Sequence, residues 1–190
     1  MRVILGRFGS RRLHVPKGII ARPTMDRVRE AVFSRLEALD AISGAVVLDA
    51  FAGSGALGIE ALSRGAAHVT FVERDNGVFR ILERNLAELD VKQCSASIRN
   101  DVLSLDLSLR SFRKPFTLIL LDPPYRIDKS EVKMFIERLS LHDLLLDGTY
   151  VAWECSSDNM AQWPPAFSSL DQRRYGTTVV DIAVYDKEVA

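Results

Sequence analysis

The amino-acid sequence predicts an α/β protein built around a parallel sheet, and three observations carry that prediction. Short apolar, β-branched runs at Val46–Leu48, Val69–Val72 and Thr117–Leu121 each end in an acid, Asp49, Glu73 and Asp122. Runs of that kind suit strands buried on both faces, as a parallel sheet requires. Segments of helical period separate them. Between the first run and the first such segment lies Gly53-Ser54-Gly55, where the backbone can turn sharply and approach a ligand closely. The 190 residues, 47% of them hydrophobic, suffice for one such domain plus a small appendage.

Taken in order, Met1 to Lys17 alternates weakly around Val3, Leu5, Phe8 and Leu13, with Gly6 and Gly9 interrupting, which predicts a short hairpin or extended arm. The chain balances 25 basic against 25 acidic residues. Its first 25 residues nevertheless hold no acid, but do hold Arg2, Arg7, Arg11, Arg12, Lys17 and Arg22. A basic arm of this kind suits a phosphate backbone, although charge runs are often merely solvated. Residues 1–20 are therefore read as a basic arm and residues 21–190 as the main domain. Thr24 is placed to cap the first helix, with Asp26 in its positively polarised first turn. Met25, Val28, Val32, Leu36 and Leu39 share one face of it, and Arg27 and Arg29 are expected to point elsewhere, as an ordinary solvated face does.

The stretch Asp49-Ala50-Phe51-Ala52-Gly53-Ser54-Gly55 then reads as a strand end and a nucleotide or nucleoside cradle. Gly53, Gly55 and Gly58 also satisfy a dinucleotide-binding spacing, so this stretch alone leaves the cofactor open. No Gly-Lys-Ser/Thr follows, which excludes a Walker loop. The second strand delivers Glu73-Arg74-Asp75, where a carboxylate can accept both hydroxyls of a ribose. Asn76 is expected to cap the next helix, with Phe79, Leu82, Leu86 and Leu89 as its buried stripe. Ser97 and Ile98 make a weak third strand, followed by Asp101, which can meet an adenine amine or cap a turn.

Asp122-Pro123-Pro124-Tyr125 is the most specific chemical signal. Two prolines fix an extended or turn geometry and remove two donors, leaving a rim of acceptors beside an aromatic plate. That combination fits a planar base with an exocyclic amine. Glu131 to Leu139 is amphipathic, Gly148 to Glu154 is a further strand, and Trp163-Pro164-Pro165 is a loop. Thr178, Val180, Ile182 and Val184 alternate in a terminal hairpin strand.

Cys94 and Cys155 are too few and too distant for a disulfide framework, which fits a reducing cytoplasm. The three histidines are scattered, so no metal centre is expected. No run approaches the ~20 apolar residues of a membrane span.

Together, Asp49 to Gly55 and Asp122 to Tyr125 resemble the first and fourth motifs of class I S-adenosylmethionine-dependent methyltransferases that act on amino groups. More narrowly, Gly6 to Leu13, Arg22-Pro23-Thr24 with Asp26 to Glu30, and Arg174-Tyr175-Gly176 resemble the bacterial small-subunit (16S) ribosomal RNA guanine-N2 methyltransferase family. That resemblance implies a Rossmann-like, seven-stranded, mostly parallel sheet with an antiparallel last strand. It implies S-adenosylmethionine held by Asp49, Ala50, Phe51, Gly53, Ser54, Gly55, Glu73, Arg74 and Asp101, with Thr24 and Arg27 nearby. Asp122, Pro123, Pro124 and Tyr125 would hold the base, and Arg7, Arg11, Arg12, Arg174 and Tyr175 would meet RNA. The expected partner is 16S ribosomal RNA, within a small subunit or an assembly intermediate, and a monomer is expected. The family usually has glycine where Ser10 stands. Rival readings are a methyltransferase of DNA adenine or a protein glutamine amide, a nicotinamide oxidoreductase, and a non-catalytic RNA-binding module.

Overall fold

The computed structural model describes residues 1–16, 18, 23–108 and 115–189, with the backbone alone for residues 23–25. Lys17, Arg22 and the side chains of Thr24 and Met25 thus lie outside the described residues. Seven strands form one sheet in the order β3-β2-β1-β4-β5-β7-β6. They are β1 (Val46–Asp49), β2 (His68–Val72), β3 (Ser95–Ile98), β4 (Phe116–Leu121), β5 (Leu145–Ser156), β6 (Phe167–Tyr175) and β7 (Thr178–Tyr185). The first five run parallel, and β7 is antiparallel to both β5 and β6. The expected class of fold is therefore the one observed.

Alternation along each strand divides the interior into two layers. Val47, Val69, Phe71, Leu118 and Leu120 face α1 (Pro23–Ala38), α2 (Ala56–Ser63) and α3 (Asn76–Glu88). Leu48, Ile119, Leu121, Val151 and Trp153 face α4 (Lys129–Leu141). The last strand in the chain is interior to the sheet, so both of its faces are buried, not only the alternating one that the sequence displays. β6 takes the edge instead.

Two predicted caps are corrected. α1 already begins at Pro23, whose fixed φ and missing N–H suit a first helical position, so Thr24 lies inside the helix. The cap of α3 is Asp75, whose side chain accepts from Val78 N–H at 2.8 Å, and Asn76 is the first helical residue. A carboxylate gains more than an amide from the positive end of the helix. α4 carries a capping box between Asp128 and Glu131.

Arg29 is a third correction. Only 6% of it is exposed, and its guanidinium donates to the Arg2 carbonyl at 2.7 Å and to Asp26 at 3.0 Å. It fastens α1 to the N-terminal segment, whereas Arg27 is exposed.

That segment is a short hairpin lying on the body. Val3 N–H donates to Arg11 and Leu13 N–H to Met1, while Val3, Phe8 and Leu13 join the helical layer. Each such buried side chain contributes about 1.5–3 kcal/mol. Glu60, fully buried on α2, accepts from Ile4 N–H at 2.8 Å, from Leu5 N–H at 3.1 Å and from Arg64 Nε at 2.8 Å. Ser10 sits at φ 68, the left-handed conformation that the family's glycine would adopt with less strain. Gly6, at φ 83, leaves so little room that a Cβ would stand 2.0 Å from the Ser63 carbonyl oxygen. Gly6→Ala is therefore expected to undock the hairpin and lower stability by about 2 kcal/mol or more. Thermal unfolding with limited proteolysis checks this, and wild-type resistance of residues 1–16 in the variant would refute it.

Candidate active site

β1 and β4 pair in parallel, with Leu48 beside Ile119 and Asp49 beside Leu120, so the loops that follow them leave the same edge of the sheet. The strand order reverses at this point, the usual location of a ligand crevice in open α/β sheets. A cleft of about 700 Å³ opens there. Phe51 and Gly53 line it beyond β1, Glu73 beyond β2, Asp101 beyond β3, and Asp122 to Tyr125 beyond β4.

Asp49 does not line the cleft. It is 1% exposed, and its Oδ2 accepts from Gly58 N–H at 2.8 Å, anchoring the first turn of α2 beneath the glycine loop. Burial raises its carboxyl to about 7, against the lowering by the Gly58 hydrogen bond; the charges of Asp122 and Glu73 push it up further. Gly53 and Gly55 have φ 54 and 88, and no atom lies within 4 Å of where a Gly53 Cβ would stand, so the loop leaves open space on its cleft side.

Glu73 supports the loop from β2. Its Oε2 accepts from Gly53 N–H at 2.9 Å and its Oε1 from Asp75 N–H at 2.7 Å, which fixes the carboxylate while leaving lone pairs for hydroxyl donors. Asp101 accepts from Leu103 N–H at 3.1 Å, capping a short 3₁₀ turn, and pairs with Arg74 at 3.1 Å. Ala50 also reaches the cleft wall. Ser54 turns away, its carbonyl accepting from Asn85 Nδ2 at 2.9 Å.

On the β4 side, Tyr125 is 71% exposed, an unusual position for an aromatic ring that has a core available. Asp122 is exposed on the cleft wall, and the partial desolvation imposed by the protein around it raises its carboxyl. Glu154 on β5 is also raised, first by burial and then by the charge of Asp122. The charge of Asp122 thus disfavours ionisation of Glu154.

Glu154 and Arg29 are cleft residues that the sequence reading did not single out. The signal for Glu154 was present: it ends the Gly148–Glu154 run, as Asp49, Glu73 and Asp122 end theirs. Tyr175 reaches the cleft from β6, whereas Arg174 is exposed, with its Nε on the Gly176 carbonyl at 2.8 Å. Arg7, Arg11 and Arg12 are all exposed on the hairpin and none of them lines the cleft. The Arg7 guanidinium sits 5.1 Å from the Phe8 ring centre, and Arg11 donates to the Glu88 carbonyl at 3.1 Å. Arg27 does not line the cleft either.

The family profile described as Conserved hypothetical protein 95 matches residues 1–184. Ribosomal RNA small subunit methyltransferase D of Escherichia coli strain K12 is 36% identical over 188 residues, covering 99% of this chain and 90% of that one. The protein of the same name from Haemophilus influenzae is 34% identical over 177 residues, covering 93% and 89%. A solved structure from Escherichia coli superposes with a TM-score of 0.82 at 31% identity, over 98% of each chain.

Because the folded Asp49 carboxyl holds its proton up to about 7, this group's contribution to stability is full below 3.8 and is lost as pH rises through about 7. Asp49→Asn keeps an acceptor for Gly58 N–H and removes that titration. Thermal melts at about pH 5 and about pH 8 are expected to differ less in the variant than in wild type. An equal difference would mean that Asp49 does not titrate as assigned.

Proposed function

This chain belongs to the Conserved hypothetical protein 95 family, and from that premise we propose that it methylates the exocyclic N2 of a guanine in small-subunit (16S) ribosomal RNA. It is a class I methyltransferase and its cofactor is S-adenosylmethionine, which removes the ambiguity of the glycine pattern. The cleft's residues fit that group. Glu73 is held with lone pairs free for ribose hydroxyls, the space beside Gly53 is open, and Asp101 on the cleft wall is an acceptor suited to an adenine amine. S-adenosylmethionine supplies an electrophilic methyl group on a sulfonium.

The observation that carries the acceptor reading is the Asp122 to Tyr125 rim, open to the cleft beside the cofactor loop. Guanine's amine is a weak nucleophile because its lone pair is delocalised into the ring, so positioning must supply much of the rate. Asp122 and the Pro123 carbonyl accept the amine's N–H bonds and aim its nitrogen at the methyl group, while Tyr125 stacks on the base. Once the nitrogen has gained its methyl group and positive charge, Asp122 or water takes the released proton.

Transfer of labelled methyl to unmethylated small subunits and, separately, to naked ribosomal RNA, followed by nucleoside identification, tests the reading. N2-methylguanosine is expected, and label on adenine or on protein would overturn the substrate. Asp122→Ala is expected to slow transfer on the order of 10²–10³-fold while cofactor affinity stays within a few-fold. Equal loss of both would reject this division of roles.

The exposed Arg7, Arg11 and Arg12 support an RNA-facing role for the hairpin. Reversing the charge of Arg7 and Arg12 is expected to weaken RNA binding and to flatten its dependence on salt by about one slope unit per lost phosphate contact. An unchanged slope would remove the hairpin from the RNA interface.

A further inference from the structure

Glu154 has no place in the scheme above, yet the sheet sets it beside Asp122. The final paired residues of β4 and β5 are Leu121 and Trp153, both of which point into the α4 layer. The next residue on each strand is a carboxylate, and alternation turns both to the opposite side, where both line the cleft. Among the described residues neither side chain is held by a hydrogen bond or an ion pair. Two acceptors, side by side and unclaimed, face the position of the base.

Guanine is the standard base whose chemistry matches that arrangement. Its Watson–Crick edge offers a ring N1–H next to the N2 amine, two adjacent donors. Adenine and cytosine place a bare ring nitrogen, an acceptor, next to their amines. An ionised carboxylate facing that nitrogen would set acceptor against acceptor.

We propose that Glu154 is the residue that selects guanine, its carboxylate accepting N1–H while Asp122 accepts from the N2 amine. The inference rests on the guanine reading above and gives it a structural reason.

The experiment uses the ribosomal RNA fragment carrying the guanine methylated in the labelling assay, synthesised with either guanine or 2-aminopurine at that position. 2-Aminopurine keeps the amine to be methylated and lacks N1–H. Wild type is expected to prefer guanine by about 10- to 100-fold in kcat/KM, and Glu154→Gln to bring the two substrates within about 3-fold. Cofactor binding by Glu154→Gln reports that the variant is folded. Should the variant not fold, the wild-type comparison decides alone, since equal use of both bases by wild type overturns the proposal. An undiminished guanine preference in a folded Glu154→Gln also overturns it, leaving guanine methylation standing. If wild type yields no N2-methylguanosine, the parent reading fails and this inference fails with it.

Discussion

The parallel pairing of β1 with β4 is the constraint on which the site depends. These strands are neighbours in space though their first residues, Val46 and Phe116, are 70 positions apart in the sequence. Their register brings the glycine loop and the Asp122 to Tyr125 rim to one edge. A slip of one residue would turn Asp49 out of the core and break its hold on Gly58. The buried runs on both faces of β1 and β4 prevent that slip, since every alternate residue already has a layer to fill.

A cost comes with that geometry. Asp49, Glu73, Asp122 and Glu154 meet near the ends of four adjacent strands, and their mutual repulsion and burial raise several of their pKa values. Such crowding opposes folding at neutral pH and favours a cationic occupant.

Much of this was legible in the sequence because it is local. Apolar runs ending in acids gave the central strands, and Asp122-Pro123-Pro124-Tyr125 gave an acceptor rim without any partner being known. What escaped depends on distant partners. Arg29 resembles a solvated arginine until the Arg2 carbonyl is placed beside it. Glu154 ends its run as the other acids do, but only the pairing of β4 with β5, which stops at Leu121 and Trp153, brings it next to Asp122. The cap at Asp75 was missed by one residue, because two capping residue types, Asp75 and Asn76, lie in succession there, and Thr24 proved to be the second residue of its helix. Asp101 was read two ways, and its turn-capping contact and its place on the cleft wall are both present.

The hairpin has a consequence for the order in which this chain takes shape. The groups that anchor residues 1–14 come much later in the sequence: Glu60 for Ile4, Ser63 for Phe8 and Asn85 for His14, at separations of 56, 55 and 71 residues. This segment therefore finds its binding surface only after α2 and α3 have been synthesised. Until then Val3, Phe8 and Leu13 are exposed on a strongly basic stretch. Residues made well before their partners are thus among the last to settle.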